Sequence, residues 1–171
     1  MKKYLQRQQG FTLVELILYI GITAMVMLTL AAFAGLLLQS RLKNMTISEV
    51  DQQGIQAMQI MTQTIRNAPT VNTPTLGSTA TNTSVTATDS AKSPTVFSLS
   101  GGSIQMQEGV SQAVPLTTSK VVVSNLTFKN VSRATNSASL KIQYTVSFNN
   151  TSGKSELNYV KTFYGTATLR K

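Results

Sequence analysis

The stretch GFTLVELILYIGITAMVMLTLAAFAGLLL, residues 10–38, decides how this chain is organised. After Gly10 its side chains are apolar or small, and Glu15 carries the one ionised group. At a rise of about 1.5 Å per residue, roughly 20 apolar residues cross the hydrocarbon core of a bilayer. A helix is the single-segment structure that satisfies its own backbone there. The stretch therefore predicts a membrane-spanning helix.

The residues before this stretch differ from an ordinary secretory signal. Residues 1–10, MKKYLQRQQG, are polar and basic and contain no acid. A secretory signal places its small-residue cleavage site after the apolar region, whereas the small residue here, Gly10, lies before it. A protease that cuts after Gly10 would leave the whole apolar segment on the mature protein.

Glu15 is the second unusual feature of the stretch. A carboxylate inside an apolar segment costs about 2.5–3.5 kcal/mol on insertion scales, so such a residue is a candidate functional residue that needs a partner. Thr12 and Glu15 also fit a capping box, in which both side chains satisfy free N–H groups at a helix start. The two roles are compatible.

The run from Gly10 to Glu15, GFTLVE, resembles the N-terminal signature of type IV pilins and of the related pseudopilins of type II secretion. The resemblance implies that a membrane prepilin peptidase cleaves after Gly10 and that the new N-terminus, Phe11, is N-methylated. It also implies that Glu15 pairs with the Phe11 ammonium group of a neighbouring subunit. This pair would provide the counter-charge, since an unpaired buried charge is strongly destabilising.

The same resemblance implies a location and a set of partners. The chain would cross the bacterial cytoplasmic membrane once, with its N-terminus in the cytoplasm and its head outside, and would reach a cell-surface or periplasmic fibre after assembly. Its partners would be the prepilin peptidase, the major pilin and other minor pilins, the inner-membrane assembly platform with its ATPase, and membrane lipid. Three basic residues precede the apolar stretch and two follow it closely, which favours the same orientation.

The composition argues against an enzyme. The chain has no histidine and no cysteine, so the commonest general base and every disulfide are missing. We expect no catalytic residue, no metal and no cofactor. The formal net charge is +9, and loss of the three basic residues in 1–10 would leave +6. These charges are scattered along the sequence, which predicts a solvated surface, with DNA as a less favoured partner.

The helix is predicted to extend from Thr12 to Asn67, because Pro69 disfavours helical geometry in the residue before it. One face beyond the apolar stretch is marked by residues at spacings of three and four, and glutamines fill the other faces. The apolar face consists of Ile47, Val50, Gly54, Met58, Met61 and Ile65. Many major pilins carry a proline inside the apolar segment, and this chain has Ala32 there. We therefore expect a continuous helix and a minor subunit.

The rest of the chain predicts a surface loop followed by strands. Residues 69–95 are rich in Thr, Ser, Asn and Pro and predict a long loop. From residue 96 the apolar period changes to two, with a tight hairpin at Gly101-Gly102 and a bulge at Ser124-Asn125. Short turns between such strands favour an antiparallel sheet.

The predicted fold class is therefore α+β and pilin-like: a long N-terminal helix, membrane-spanning in its first half, packed against a C-terminal antiparallel β-sheet. The predicted segments are a leader (1–10), a transmembrane or filament-core half-helix (11–38), an amphipathic half-helix of the head (39–68), a loop (69–95) and a sheet (96–171). Three functions stay open. They are a minor type IV pilin-like subunit within or at the tip of a fibre, a type II secretion or DNA-uptake pseudopilin, and a membrane-anchored binding module that does not polymerise.

Overall fold

The computed structural model describes residues 10–133 and 138–170. One helix, α1, runs from Leu13 to Arg66 over 54 residues. Both ends lie within one residue of the predicted ends, and the helix is unbroken at Ala32, as expected. The predicted leader lies outside the described residues except for Gly10.

The described residues divide into two units, 10–41 in the first and 42–133 with 138–170 in the second. In the first unit every described residue is exposed. It contains an apolar window of α1 that is long enough to cross a membrane, and no part of that window is buried. The second unit holds the remainder of α1 and all the described strands.

Within residues 10–133 and 138–170, nine strands form two antiparallel sheets, where the sequence had predicted one sheet. Their bounds are β1 Thr70–Thr73, β2 Thr79–Ala80, β3 Thr83–Thr86, β4 Thr95–Ser100, β5 Ser103–Glu108, β6 Val114–Pro115, β7 Val121–Asn130, β8 Ser139–Phe148 and β9 Val160–Thr168. The five-stranded sheet has the order β1-β3-β4-β5-β6, and the four-stranded sheet has the order β2-β7-β8-β9. Short 3-10 helices occupy Ser90–Lys92 and Ser155–Leu157.

The predicted hairpin and bulge are both confirmed. Gly101 and Gly102 connect β4 to β5 with φ values of 58° and 72°, which is the positive-φ pair that a tight hairpin requires. The β7–β8 register shifts between Ser124 and Thr127. Asn125, with φ 54°, is the residue that absorbs the shift.

The prediction of a loop over residues 69–95 was wrong. This segment forms β1, β2 and β3, and β3 pairs with β4 of the predicted strand region. Its strands are two to four residues long and rich in threonine, so they lack the alternation of large apolar residues that marks a strand in sequence. Pairing with neighbours stabilises them instead: Val85 is fully buried, and the Thr70 hydroxyl donates to Thr86.

The core of the second unit lies between α1 and the sheets. Val50, Ala57, Met61 and Ile65 of α1 are fully buried. Two of the residues predicted for this face, Ile47 and Met58, are only partly buried.

Close approach of α1 to the four-stranded sheet depends on Gly54. Its carbonyl accepts a hydrogen bond from the buried Tyr144 hydroxyl at 2.6 Å. A Cβ atom on Gly54 would collide with the ring of Phe163. Burial raises the pKa of Tyr144 far above its usual value, and a backbone hydrogen bond with Met58 offsets this by a smaller amount.

Gln53 corrects the predicted pattern of polar residues on α1. The sequence pattern places it with the other glutamines, outside the apolar face of the helix, yet it is buried. Its side-chain oxygen accepts the backbone N–H of Thr118 at 3.2 Å, and its amide donates to Glu49 at 3.3 Å. Because the polar atoms of the Gln53 side chain are hydrogen-bonded, its burial does not leave an unsatisfied polar group in the core.

Candidate assembly site at the start of the helix

The predicted cleavage and assembly residues lie at the start of α1. Gly10, Phe11 and Thr12 precede the helix, and Glu15 is the acid in its first turn. The Thr12 hydroxyl accepts the backbone N–H of Glu15 at 3.3 Å, and the Thr12 carbonyl accepts the N–H of Leu16 at 3.2 Å. Thr12 therefore acts as the N-cap, which satisfies donors that a helix start otherwise leaves free.

The Glu15 carboxylate has a neighbour that the sequence analysis did not identify. The Tyr19 hydroxyl, one turn further along, donates to Glu15 Oε1 at 3.5 Å, a long hydrogen bond. The Tyr19 ring lies 5.8 Å from the Phe11 ring, centroid to centroid. Phe11, Glu15 and Tyr19 are spaced four residues apart. This spacing could have indicated the two contacts of Tyr19, because residues four apart in a helix are neighbours.

The charge on Glu15 stays without a cation in the described residues. None of the three ion pairs formed by them includes Glu15, and the Tyr19 hydroxyl contacts it as a hydrogen-bond donor. Within the single chain every residue of this site is exposed, namely Gly10, Phe11, Thr12, Glu15 and Tyr19. The site therefore presents an acid, a non-helical segment at residues 10–12 and an aromatic pair, with room for a group from another molecule.

The helix surface after this site is apolar and uncovered. Large apolar residues from Leu13 to Leu38 are between 50% and 76% exposed. Two glycines, Gly21 and Gly35, have no heavy atom within 4 Å of the position that a Cβ would occupy. Small residues allow the backbones of packed membrane helices to approach closely. Such an apolar surface is unfavourable in contact with water. Lipid or another protein therefore has to cover it.

A family comparison bears on this same segment. Residues 5–31 match the family described as the prokaryotic N-terminal methylation motif. The chain carries the type IV pilin signature. The match covers residues 5–10 of the predicted leader and the first part of α1, so both sheets lie beyond it. Searches of curated proteins and of solved structures returned no match.

The signature supports several statements about this chain. It supports a type IV pilin-like precursor, and it indicates a structural subunit. It implies processing by a prepilin peptidase and assembly with pilins. Together with the single apolar helix at the N-terminal side of the described structure, it fits a membrane-anchored protein that crosses the bilayer once.

Proposed function

We propose that this chain is a minor subunit of a type IV pilus or a related fibre. The observation that carries the proposal is the position of the methylation signature, which leads directly into an uncovered apolar helix. A pilin-like precursor with such a helix has two environments available for it, first lipid and then the packed helices of a fibre. In this proposal the chain works by assembly.

The first step is removal of the leader. The peptide bond between Gly10 and Phe11 would be cut at the cytoplasmic face, and the new Phe11 amine would be methylated. Gly10 has no atom near the position of a Cβ and lies outside α1. A position outside the helix with no neighbour in contact suits entry into a protease site, and the apolar helix would stay with the mature chain.

The second step is pairing of Glu15 with the Phe11 ammonium of a neighbouring subunit. A carboxylate in lipid is costly, and an ammonium group brought against it in the fibre would offset that cost. The Tyr19 hydroxyl supports this role because it donates to one carboxylate oxygen of Glu15, and its ring lies beside the ring of Phe11. Pairing would thus favour the assembled state over the free membrane state.

Processing tests the first step. Co-expression with a prepilin peptidase should shorten the chain by residues 1–10 and add a methyl group, as measured by intact-mass spectrometry of the membrane fraction. Gly10→Ala should reduce or stop this change. Gly21→Ala, a glycine substitution within the same chain but away from the scissile bond, should leave processing unchanged. An unaltered mass in cells that process other prepilins would refute the proposal.

Incorporation tests the second step. Glu15→Ala should be processed normally, while its recovery in sheared fibres should fall at least about tenfold, since a lost charge pair of some 1.4 kcal/mol or more is a factor of ten. Glu156→Ala, which removes a carboxylate from the second unit, should be recovered like the unaltered chain. Equal recovery of all three proteins would mean that Glu15 has no part in assembly.

Two other functions share part of this scheme. A type II secretion or DNA-uptake pseudopilin would follow the same steps in a different apparatus. Neighbouring genes for an assembly ATPase and a platform protein would favour these assembly functions over a module that does not polymerise. A membrane-anchored module that does not polymerise would be absent from sheared fibres whatever stands at position 15.

A further inference from the structure

The net positive charge of the chain is concentrated in one part of the sequence. Residues 109–171 contain eight basic residues and one acid, a formal net charge of +7. Residues 11–108 contain four basic residues and five acids, a net charge of −1. The basic part includes β7, β8 and β9, three of the four strands of the four-stranded sheet. Apart from Lys171, which lies outside the described residues, the basic residues of this part therefore lie on β7, β8 and β9 or in the segments that adjoin these strands.

The register of that sheet places two of these lysines directly opposite each other. Lys129 of β7 pairs with Lys141 of β8, and both side chains are exposed. Threonines continue the row on both sides: Thr79 pairs with Lys129, and Thr166 pairs with Lys141. Directly opposed like charges destabilise a sheet. The stability of the sheet therefore does not explain why two lysines with hydroxyl neighbours lie opposite each other here.

Three other lysines of the described structure have acidic partners, whereas Lys43 and Lys154 take part in none of its ion pairs. Lys92 pairs with Glu108 at 3.5 Å, Lys120 with Glu49 at 3.4 Å, and Lys161 with Asp51 at 2.9 Å. Neither Lys129 nor Lys141 takes part in the ion pairs formed by the described residues. The two lysines are thus available to an anion from outside the chain.

The next row of the same face supplies a different chemistry. Tyr164 pairs with Gln143, which pairs with Thr127. Tyr164 is 63% exposed and lies two residues along β9 from Thr166, so it is a diagonal neighbour of Lys141. We call Thr127, Lys129, Lys141, Gln143, Tyr164 and Thr166 the basic face. Lysines and hydroxyls are groups that contact phosphates, and an exposed aromatic ring beside them offers a surface on which a base can stack.

More positive charge lies at the end of the sheet next to this face. β7 ends at Asn130 and β9 ends at Thr168. The register places both strand ends at the same end of the sheet, where β8 begins. Arg133 and Arg170 follow these ends. Arg170 also lines a cleft of about 740 Å³ with Arg66, the last residue of α1. A polymer lying on the basic face would find further cations as it leaves the face.

We propose that the basic face binds a nucleic acid, with Lys129 and Lys141 contacting the phosphate backbone and Tyr164 stacking on an unpaired base. Insertion into an anionic bilayer requires apolar side chains beside the lysines. The lysines of the basic face are surrounded by hydroxyl and amide groups instead, and this chemistry favours a nucleic acid. It favours nucleic acid over an acidic protein surface because threonine, glutamine and tyrosine match both phosphates and bases.

The test measures binding of the full chain, in a neutral detergent, to a fluorescent single-stranded oligonucleotide by anisotropy. Lys129→Gln/Lys141→Gln should weaken binding about tenfold or more and should reduce the slope of log K against log salt by about 1.4, at roughly 0.7 per phosphate contact. The matched control is Lys43→Gln/Lys154→Gln, which removes the same charge from exposed sites outside the basic face and should weaken binding less than about twofold. Equal losses in the two double variants would overturn the proposal, as would absence of binding at 50 mM salt.

Tyr164 distinguishes a nucleic acid from other phosphate polymers. Tyr164→Ala should weaken binding of the oligonucleotide about tenfold, in the range that removal of one stacked base produces. The same variant should bind inorganic polyphosphate, which has no bases, as tightly as the unaltered chain. If the loss appears for both polymers or for neither, Tyr164 does not stack on a base. If the lysine variant loses binding only to vesicles of anionic lipid and keeps the oligonucleotide, the face is a lipid surface and the proposal fails.

Discussion

The two parts of α1 on either side of Arg41 differ in how their apolar side chains are covered. Before Arg41 no described residue is buried, whereas between Leu42 and Arg66 seven residues are buried. The two parts share one continuous helix and one backbone geometry. The comparison shows that helix formation and burial are separate problems here. The later part is covered by the sheets of its own unit, and the earlier part needs lipid or other subunits.

The largest effect should come from separating the two parts. A chain that begins at Leu42 lacks the exposed apolar surface, so it should be recovered entirely in the soluble fraction. The full chain should stay in the membrane pellet and require detergent. The measurement is ultracentrifugation followed by immunoblotting of both fractions. If the shortened chain stayed in the pellet, the membrane-binding surface would have to lie in the second unit.

Two methionines in α1 give a matched test of the same contrast. Met61 is fully buried and Met27 is 65% exposed. Met61→Ala should lower the free energy of unfolding of the second unit by about 2–5 kcal/mol, because it removes transfer energy and leaves a cavity. Met27→Ala should change it by less than about 0.5 kcal/mol. Urea unfolding in detergent, followed by near-ultraviolet circular dichroism, measures both. Similar values for the two variants would contradict the burial difference.

A smaller difference is expected between two glycines of α1. A Cβ at Gly54 would collide with Phe163, whereas a Cβ at Gly35 would meet nothing within 4 Å. Gly54→Ala should destabilise the second unit by about 1–3 kcal/mol through overpacking. Gly35→Ala should leave its stability unchanged. The same urea titration compares them, and a neutral Gly54→Ala would show that the helix and Phe163 have room to separate.

The pH dependence of stability tests the contact between the later part of α1 and the sheet. Burial raises the pKa of Tyr144 above its usual value of 10.0, and the hydrogen bond to Asp51 raises the pKa of Lys161 above 10.5. Above about pH 10 the unfolded chain therefore loses protons that the folded chain keeps, so the stability falls as the pH rises. Below pH 10 these two groups should contribute no slope.

Tyr144→Phe isolates one of these groups. It should lower the stability at neutral pH by about 1 kcal/mol, through loss of the hydrogen bond to Gly54, and should make the decline above pH 10 shallower. Tyr164→Phe, at an exposed tyrosine, should keep both the stability and the decline. Urea midpoints measured from pH 7 to 11 decide between them. An unchanged alkaline decline in Tyr144→Phe would mean that this hydroxyl ionises freely in the fold.

The features predicted correctly from sequence depend on local patterns. Pro69 and the long apolar run set the ends of α1, and Gly101-Gly102 set the hairpin. The features that were missed depend on pairing between distant residues. The threonine-rich strands β1 to β3 and the buried Gln53, which meets Thr118, have no local signal, and neither does the division into two sheets.

The candidate sites follow the same division. Gly10, Phe11 and Glu15 form a motif within six residues, so sequence sufficed to propose their roles, which stay predictions. Tyr19 could have been added from its helical spacing. The basic face could not, because Lys129 and Lys141 come together only through a strand register that a bulge at Asn125 shifts.

The central claim is that the apolar surface of α1 before Arg41 is covered by lipid or by other subunits in the cell. Because the chain has no cysteine, single cysteines report on single positions. Leu28→Cys and Gln56→Cys place one thiol on the exposed surface of each part of α1. With a membrane-impermeant maleimide applied to cells whose outer layers it can pass, we expect labelling at position 56 and none at position 28. Equal labelling at the two positions would contradict the account.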